Sequence, residues 1–462
     1  MNANKYVCSR ISFRAWAFFL IILTLSSLSC KKYLEKKSNQ SLVIPSTIGD
    51  FQALLDFYQR INHLESAAGE VSADNYYISS STFSTLNEFD RRKYIWEKDH
   101  LFPEGASNDW ANLYANVYRA NVVLEDIDNV DYSSLDESAW RAVKGHALFL
   151  RAKSLFDIAI IWALAYDSST ASVDLGIPLR LNPEFNSLSK RANVQQTYDQ
   201  IIQDLIGACS LLPTTAVHVY RPSKPAAYAL LSRLYLSMRK YDSCYKYSDL
   251  CLQLRDSLYD YNNASSSGNF TIPNFNPEVL YNSIPAYAAP ISYTNAKVDS
   301  LLYNSYTDTN DLRKLLFFKK NADNTYSFGN SYYQYNLFSG VAVDEVYLMK
   351  AECLARQGIV TEAINVLNTL LIKRWKTGTY IPYVTIDSKD ALDKILLERR
   401  KELIMRCLRW MDIKRLNKEG ANIILERLIN GQSYTLLPND PKYALPIPED
   451  VISISGMPQN LR

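Results

Sequence analysis

Residues 233–252 read RLYLSMRKYDSCYKYSDLCL, and residues 352–371 read ECLARQGIVTEAINVLNTLL. Laid over one another at an offset of 119 residues, both give an apolar helix, a tight turn and a second helix. The turns fall near Arg239–Tyr241 and at Gly358. Cys244 lies over Ala363, so each second helix has a small residue where a neighbour can come close. Such a pair cannot bury its apolar face alone, and stacking pairs side by side creates one continuous core. The pattern predicts helix pairs over 224–255 and 343–374.

Working outward, the same period recurs. Asp109–Asp128 places Trp110, Leu113, Tyr114, Val117, Tyr118, Asn121 and Leu124 at three-four spacing, the mark of an amphipathic helix. Glu137–Leu164 and Val194–Leu212 continue it, the latter stopped by Pro213, and Ala391–Asn417 reads as one further long helix. The fold class is therefore mainly α, a tetratricopeptide-like scaffold. The stretch 259–340 breaks the pattern: it is rich in Asn, Ser, Tyr and Pro. About 80 residues is too long for a structureless loop in a compact domain, so it reads as an irregular insert with short strands. Asn62–Phe102 is mixed and aromatic, and Tyr380–Asp387 and Tyr434–Arg462 read as extended. The expected organisation is one domain over 46–462, with scaffold at 46–258 and 341–430 and an extended end at 431–462.

The composition of the 462 residues agrees with a globular chain: 47% hydrophobic and 21% charged. Lys+Arg 50 against Asp+Glu 48 leaves +2, with no basic excess that would point to nucleic acid. Tyr is unusually frequent at 33. At the N-terminus, Lys5, Arg10 and Arg14 precede the apolar run Ala15–Leu25, and Ser26–Ser29 precede Cys30. A charged start, a short apolar run and a small-residue end describe a secretory signal over 1–29. Leu28-Ser29-Cys30 resembles a bacterial lipobox, with Ser27 where Leu is usual. Cys30 is then the lipidation site, and 30–45 a polar tether. Cys209, Cys244, Cys251, Cys353 and Cys407 sit in apolar helical contexts and read as buried thiols.

No H-E-x-x-H, G-x-S-x-G, P-loop or G-x-G-x-x-G occurs, and only four His are present. No metal and no cofactor are expected. Glu398-Arg399-Arg400-x-Glu402 looks like a catalytic charge cluster. Its spacing instead sets Glu398 with Lys401 and Glu402 with Arg406, as surface or interhelix pairs. His146 lies within an apolar helix and reads as a core or edge residue. A paired-carboxylate glycosidase has no fixed spacing, so an enzyme stays as an alternative.

A series of motifs runs along the chain in a fixed order: Cys30-Lys-Lys-Tyr-Leu, Trp110-x3-Tyr114, Arg119-Ala-Asn121, Phe149-Leu-Arg151-Ala and Gly176-Ile-Pro178. Asp204-Leu, Arg221-x2-Lys224-x-Ala226-Ala227, Ala351-Glu352, Glu398-Arg-Arg-x-Glu402-Leu and Arg409-Trp-x-Asp412 follow, and Leu445-Pro-Ile-Pro448 with Gln459-Asn460 closes it. Together they resemble the SusD/RagB family of Bacteroidetes outer-membrane lipoproteins. The chain departs from that pattern at Arg406-Cys407, where Glu-Gly is usual, and at Lys144-Gly-His146-Ala.

The resemblance implies a non-enzymatic cell-surface binder, tethered to the outer membrane through its lipid. It would capture an oligosaccharide, or in some relatives a peptide, for a TonB-dependent (SusC-like) transporter. A surface glycoside hydrolase of the same uptake system is the alternative. Sugar faces are apolar and their edges carry hydroxyls, so rings beside Asn or Asp suit them; aromatic side chains also lose little entropy on binding. Stretches of that kind supply the candidate ligand residues Asp74, Asn75, Tyr76, Tyr77, Tyr287, Tyr293, Asn295, Tyr333 and Tyr335.

Overall fold

The computed structural model describes residues 45–462 apart from Tyr132, Ser134, 265–270, Gln334 and Tyr335. The signal segment and Cys30 lie outside the described residues, as does Tyr335. The longer helices are α1 (Asp109–Asp126), α2 (Glu137–Trp162), α3 (Val194–Leu211), α4 (Lys224–Ser237), α5 (Tyr241–Leu254), α6 (Val343–Arg356), α7 (Val360–Leu371), α8 (Ser388–Glu402) and α9 (Arg409–Asn417). Four of them, α1, α3, α4 and α8, start at a side chain that takes up an otherwise unpaired amide. Asn108 opens α1, Asn193 with Gln196 forms a capping box on α3, and Ser223 followed by Pro225 opens α4.

From α1 to α7 each helix packs against the next in the chain, and α8 returns onto α6. The two expected helix pairs are α4–α5 and α6–α7. The turn of the first passes through Arg239 at φ 59° and that of the second through Gly358 at φ 77°. Cys244 and Ala363 are both fully buried, as small contact residues should be, and Ser232 Oγ donates to the Cys244 carbonyl at 3.0 Å. The five described cysteines are free; four are buried and Cys407 is half-buried. His146 is buried, and burial pushes its imidazole down to about 3.

One helix is two. Ala391–Asn417 was expected to run through, yet α8 stops at Glu402 and α9 starts at Arg409. Between them Met405 (φ 57°) and Cys407 (φ 59°) turn left-handed. The cause is what this corner binds. Arg406 reaches inward to Asp344 at 2.9 Å, and the Cys407 N–H donates to Glu70 at 2.9 Å. The anticipated Glu402–Arg406 pair therefore does not form, whereas Glu398–Lys401 does at 2.9 Å. Both glutamates are buried rather than on the surface.

The insert has short antiparallel strands, as expected. β4 (Val279–Tyr281) pairs with β8 (Val341–Ala342), β5 (Lys297–Val298) with β1 (Tyr76–Tyr77), and β6 (Phe318–Lys320) with β7 (Tyr326–Phe328). β2 (Leu175–Pro178) pairs with β3 (Arg191–Asn193) beside α2 and α3. The C-terminal part is less extended than its sequence suggests: β9 (Leu425–Ile429) and β10 (Gln432–Leu436) form a hairpin, and Glu449–Ser455 is helical. The insert shares a second core with the 67–94 region, in which Tyr76 and Tyr94 pack with Tyr261, Tyr306, Phe317 and Phe338.

A seam of buried ion pairs joins insert to scaffold. Arg313 bonds Asp311 at 2.8 Å, Glu398 at 2.6 Å and Glu402 at 3.0 Å. Arg374 bonds Glu402 and Glu278, each at 2.7 Å. Further along, Arg233 meets Glu345 at 2.6 Å, Arg399 meets Asp412 at 2.9 Å and Arg415 meets Glu352 at 2.6 Å. Buried charge is tolerable where opposite charges pair in this way.

Glu70 is buried without that help. It accepts from Asn75 Nδ2 at 2.7 Å and from Cys407 N, and burial outweighs both bonds to raise its carboxyl to about 7. An acid whose folded value exceeds its unfolded one holds an extra proton when folded. Its contribution is therefore complete below about pH 4.5 and is lost as pH rises toward 7. Glu70→Gln should remove that loss. Against the parent, the variant should gain about 2.5 kcal/mol between pH 5 and pH 8. Urea unfolding at both pH values measures it; a constant difference would contradict the assignment.

Candidate functional site

Six rings from four separate segments meet at the surface. Tyr58 opens a one-turn helix (Tyr58–Ile61) and His63 follows it, His218 and Tyr220 come from the α3–α4 loop, and Phe275 and Tyr333 from the insert. Tyr58 stacks on Tyr220 with centroids 4.9 Å apart and planes 10° from parallel. His63 lies edge-on to Tyr220 at 5.6 Å and tilted to Tyr333 at 5.4 Å. Phe275 contacts His218 at 5.0 Å, Tyr220 at 5.5 Å and Tyr333 at 5.8 Å. Such edge-to-face and stacked pairs hold one another in place.

Polar tips run through the cluster. The Tyr220 hydroxyl donates to the Tyr333 hydroxyl at 3.1 Å, and His63 Nε2 lies 3.1 Å from the Tyr220 oxygen. Partial burial lowers the His63 imidazole and, with the Tyr333 hydroxyl beside it, raises the Tyr220 phenol well above its usual range. The rings nevertheless face solvent in part: Tyr58 is 38% and Phe275 37% exposed. Phe275 also sits at φ 53°, a conformation rarely held by a bulky residue.

The backbone beneath is knit together. Asn62 Nδ2 donates to the carbonyls of Asn282 at 2.8 Å and Tyr220 at 3.3 Å. The Asn282 N–H returns to the Val219 carbonyl at 2.7 Å. Asp56 and Arg221 form a bidentate pair at 2.9 and 2.6 Å. The rings are thus mounted on three tied segments rather than on free loops.

Of the residues singled out by sequence, Tyr333 belongs to this cluster. The Asp74–Tyr77 stretch divides. Asp74 is held by Arg409 at 2.6 Å and Arg400 at 3.1 Å; burial alone would raise its carboxyl, and these arginines hold it well below the usual range. Asn75 and Tyr76 are interior, Tyr76 donating its hydroxyl to the Val71 carbonyl at 2.9 Å. Asn75 and Tyr76 thus brace the interior, and Asp74 is half-buried in its arginine pairs. Tyr77 is exposed on β1, paired with Lys297 of β5. Tyr293 is exposed under Lys319, and Asn295 ties its own turn through a bond to the Ala289 carbonyl at 2.9 Å. Tyr287 stands 83% exposed.

Tyr58, His63, His218, Tyr220 and Phe275 escaped the sequence reading, because each sits in a segment that looks unremarkable alone. A signal was present: the loops 214–222 and 271–276 carry rings and not one Asp or Glu.

Two other features come together. A cleft of about 270 Å³ between α1 and the β2–β3 loop is lined by Trp110, Tyr114, Tyr118, Arg180, Phe185 and Met457, among others. Its Arg180 is spent tying the loop to the Ser187 carbonyl at 2.6 Å. Among the described residues, His100, Glu104 and Glu449 form one metal-capable trio, with donor atoms within 4.8 Å of one another.

The architecture is that of a helical-repeat protein carrying an irregular insert with a ring-lined face, and known structures share it. A sugar-binding protein of Bacteroides vulgatus superposes with a TM-score of 0.73 at 20% identity, covering 91% of this chain and 99% of that one. A SusD superfamily protein of Bacteroides thetaiotaomicron gives 0.73 at 23% identity, with 90% and 100% covered. A SusD-like protein of Formosa agariphila is 26% identical across 87% of this chain and 91% of its own length. Residues 32–236 match a family model described as starch-binding and associating with the outer membrane, and residues 305–460 match that of the SusD family. The chain belongs to the SusD/RagB family.

Proposed function

We propose that this chain is a cell-surface binding protein that captures an oligosaccharide on the Tyr58–Tyr220–Phe275–Tyr333 face and performs no chemistry on it. The observation that carries the reading is the convergence of six partly exposed rings whose edges hold hydroxyl and imidazole groups. Stacked rings cover the apolar face of a pyranose, and the tips serve its hydroxyls.

A glycosidase needs two carboxyls flanking the bond, about 5–10 Å apart. The segments that frame the rings carry Asp56 alone, and Arg221 holds it. That favours binding over hydrolysis. Family membership supports a place at the outer membrane, with Cys30 as anchor and a TonB-dependent transporter as recipient. Among the described residues no helix is long and apolar enough to cross a membrane. Tyr77, Tyr287 and Tyr293 are further exposed rings outside this face.

Soluble residues 31–462 should be retarded by one class of polysaccharide in native gels without releasing reducing ends. Tyr220→Ala should weaken that binding about tenfold, since one lost ring stack is worth roughly 1–3 kcal/mol. Released sugar would overturn the non-enzymatic reading, and full retention of affinity by Tyr220→Ala would move the site elsewhere.

A further inference from the structure

Three of the six rings also form a hydrogen-bonded chain. His63 Nε2 stands 3.1 Å from the Tyr220 hydroxyl oxygen, and the Tyr220 hydroxyl donates to that of Tyr333 at 3.1 Å. A phenol has one proton to give. That of Tyr220 goes to Tyr333, so the Tyr220 oxygen accepts from His63, and Nε2 carries the imidazole hydrogen. Burial pushes the His63 imidazole down, which favours the neutral ring with Nδ1 bare. His218 helps to hold the middle member: its ring tilts against Tyr220 at 4.8 Å, and its Nδ1 accepts the Tyr220 N–H at 3.2 Å.

The chain therefore runs one way, from His63 through Tyr220 to Tyr333, and ends in a donor. Among the described residues nothing takes the Tyr333 proton, while its oxygen already accepts from Tyr220. Tyr333 is half-buried, with His63 at 5.4 Å and Phe275 at 5.8 Å. The framing segments 56–64, 214–222, 271–276 and 330–337 contain one carboxylate that could accept from a ligand, Asp56, and Arg221 occupies both its oxygens.

We infer that His63 is a positioning residue of this face: by donating through Nε2 it sets the direction of the chain, so that Tyr333 offers a hydrogen and the saccharide meets it with an accepting oxygen. This rests on the carbohydrate reading above and deepens it by naming the group the ligand presents. A neutral sugar supplies such oxygens in its ring, its glycosidic links and its hydroxyls. Aligned hydrogen bonds polarise one another, so a donor at the head of the chain strengthens the one at its end.

Nitrogen-15 spectra of histidine-labelled residues 31–462 report the tautomer without any ligand. Four histidines are present, and His63→Gln identifies the signal of residue 63 by its loss. At about pH 8, where imidazole is neutral, the hydrogen should sit on Nε2. A hydrogen on Nδ1 overturns the inference. Binding is then measured by calorimetry on the tightest of soluble starch, laminarin, xyloglucan and galactomannan. Tyr333→Phe, which removes one hydroxyl and leaves the ring, should weaken it about fivefold, the worth of one hydrogen bond. His63→Leu should weaken it about threefold, and His63→Gln, whose amide donates from the same place, should restore most of that loss. The double variant His63→Leu/Tyr333→Phe should lose no more than Tyr333→Phe alone, because both cut one chain. Additive losses, or a glutamine variant as weak as the leucine one, would reduce His63 to packing and overturn the inference while leaving carbohydrate binding intact. Failure of these four and of a wider neutral panel to bind would overturn the carbohydrate reading, whatever the tautomer.

Discussion

Replacing Arg313 with leucine is expected to cost about 3–5 kcal/mol of stability, read as a drop in the urea midpoint at unchanged slope. Arg313 is fully buried, and its one guanidinium joins Asp311 on the insert side to both Glu398 and Glu402 of α8. Leucine fills much of the space yet strands three carboxylates in an interior where desolvation is severe. Lys401 takes up part of the deficit, since it already touches Asp311 at 3.4 Å and Glu398 at 2.9 Å. Adding Glu398→Gln to Arg313→Leu should therefore recover a measurable share of the loss. A single variant as stable as the parent would mean the seam is wetter than its burial implies.

Gly340→Ala is expected to cost about 3 kcal/mol or more, through shape alone. A Cβ at Gly340 would lie 2.1 Å from the Tyr281 carbonyl oxygen and 2.6 Å from the Phe338 ring. The obstacle is backbone on one side and a fully buried ring on the other, so neither can give way cheaply. Relief means parting β4 from β8, whose pairing of Tyr281 with Val341 closes the insert onto α6. It would also disturb the Arg233 bond to the Gly340 carbonyl at 2.8 Å. Thermal unfolding followed by near-ultraviolet circular dichroism should show the loss, and Phe338→Leu in the same background should return part of it. An unchanged midpoint would contradict the close approach.

The helical scaffold was legible because its signal is local. The 119-residue offset between two helix pairs, the small residues at 244 and 363 and the stop at Pro213 each follow from neighbours in sequence. The break at 403–408 was not legible, because its cause lies far off in the chain, in Asp344 and Glu70. The family motifs tell the same story. Arg151 bonds Asp204 at 2.7 Å, Asn460 bonds the Trp162 carbonyl at 2.8 Å, and Arg409 bonds Asp74. Each of these bonds ties distant parts of the fold together, and Asp74 drew a ligand role by standing beside Asn75, Tyr76 and Tyr77 in one non-helical stretch. The ring face was hidden for the opposite reason: its members lie up to 275 residues apart, from Tyr58 to Tyr333, and no short window holds more than two.

The ring-bearing segments and the charged seam occupy different parts of this chain. Among the described residues, none of the six rings forms an ion pair or hydrogen bond with a seam arginine or its carboxylates. A lineage could exchange Tyr58 or Phe275 one at a time and leave those buried ion pairs untouched. The exposed face can then be rewritten without touching the charges that hold the skeleton, so a shared skeleton says little about what any one member binds.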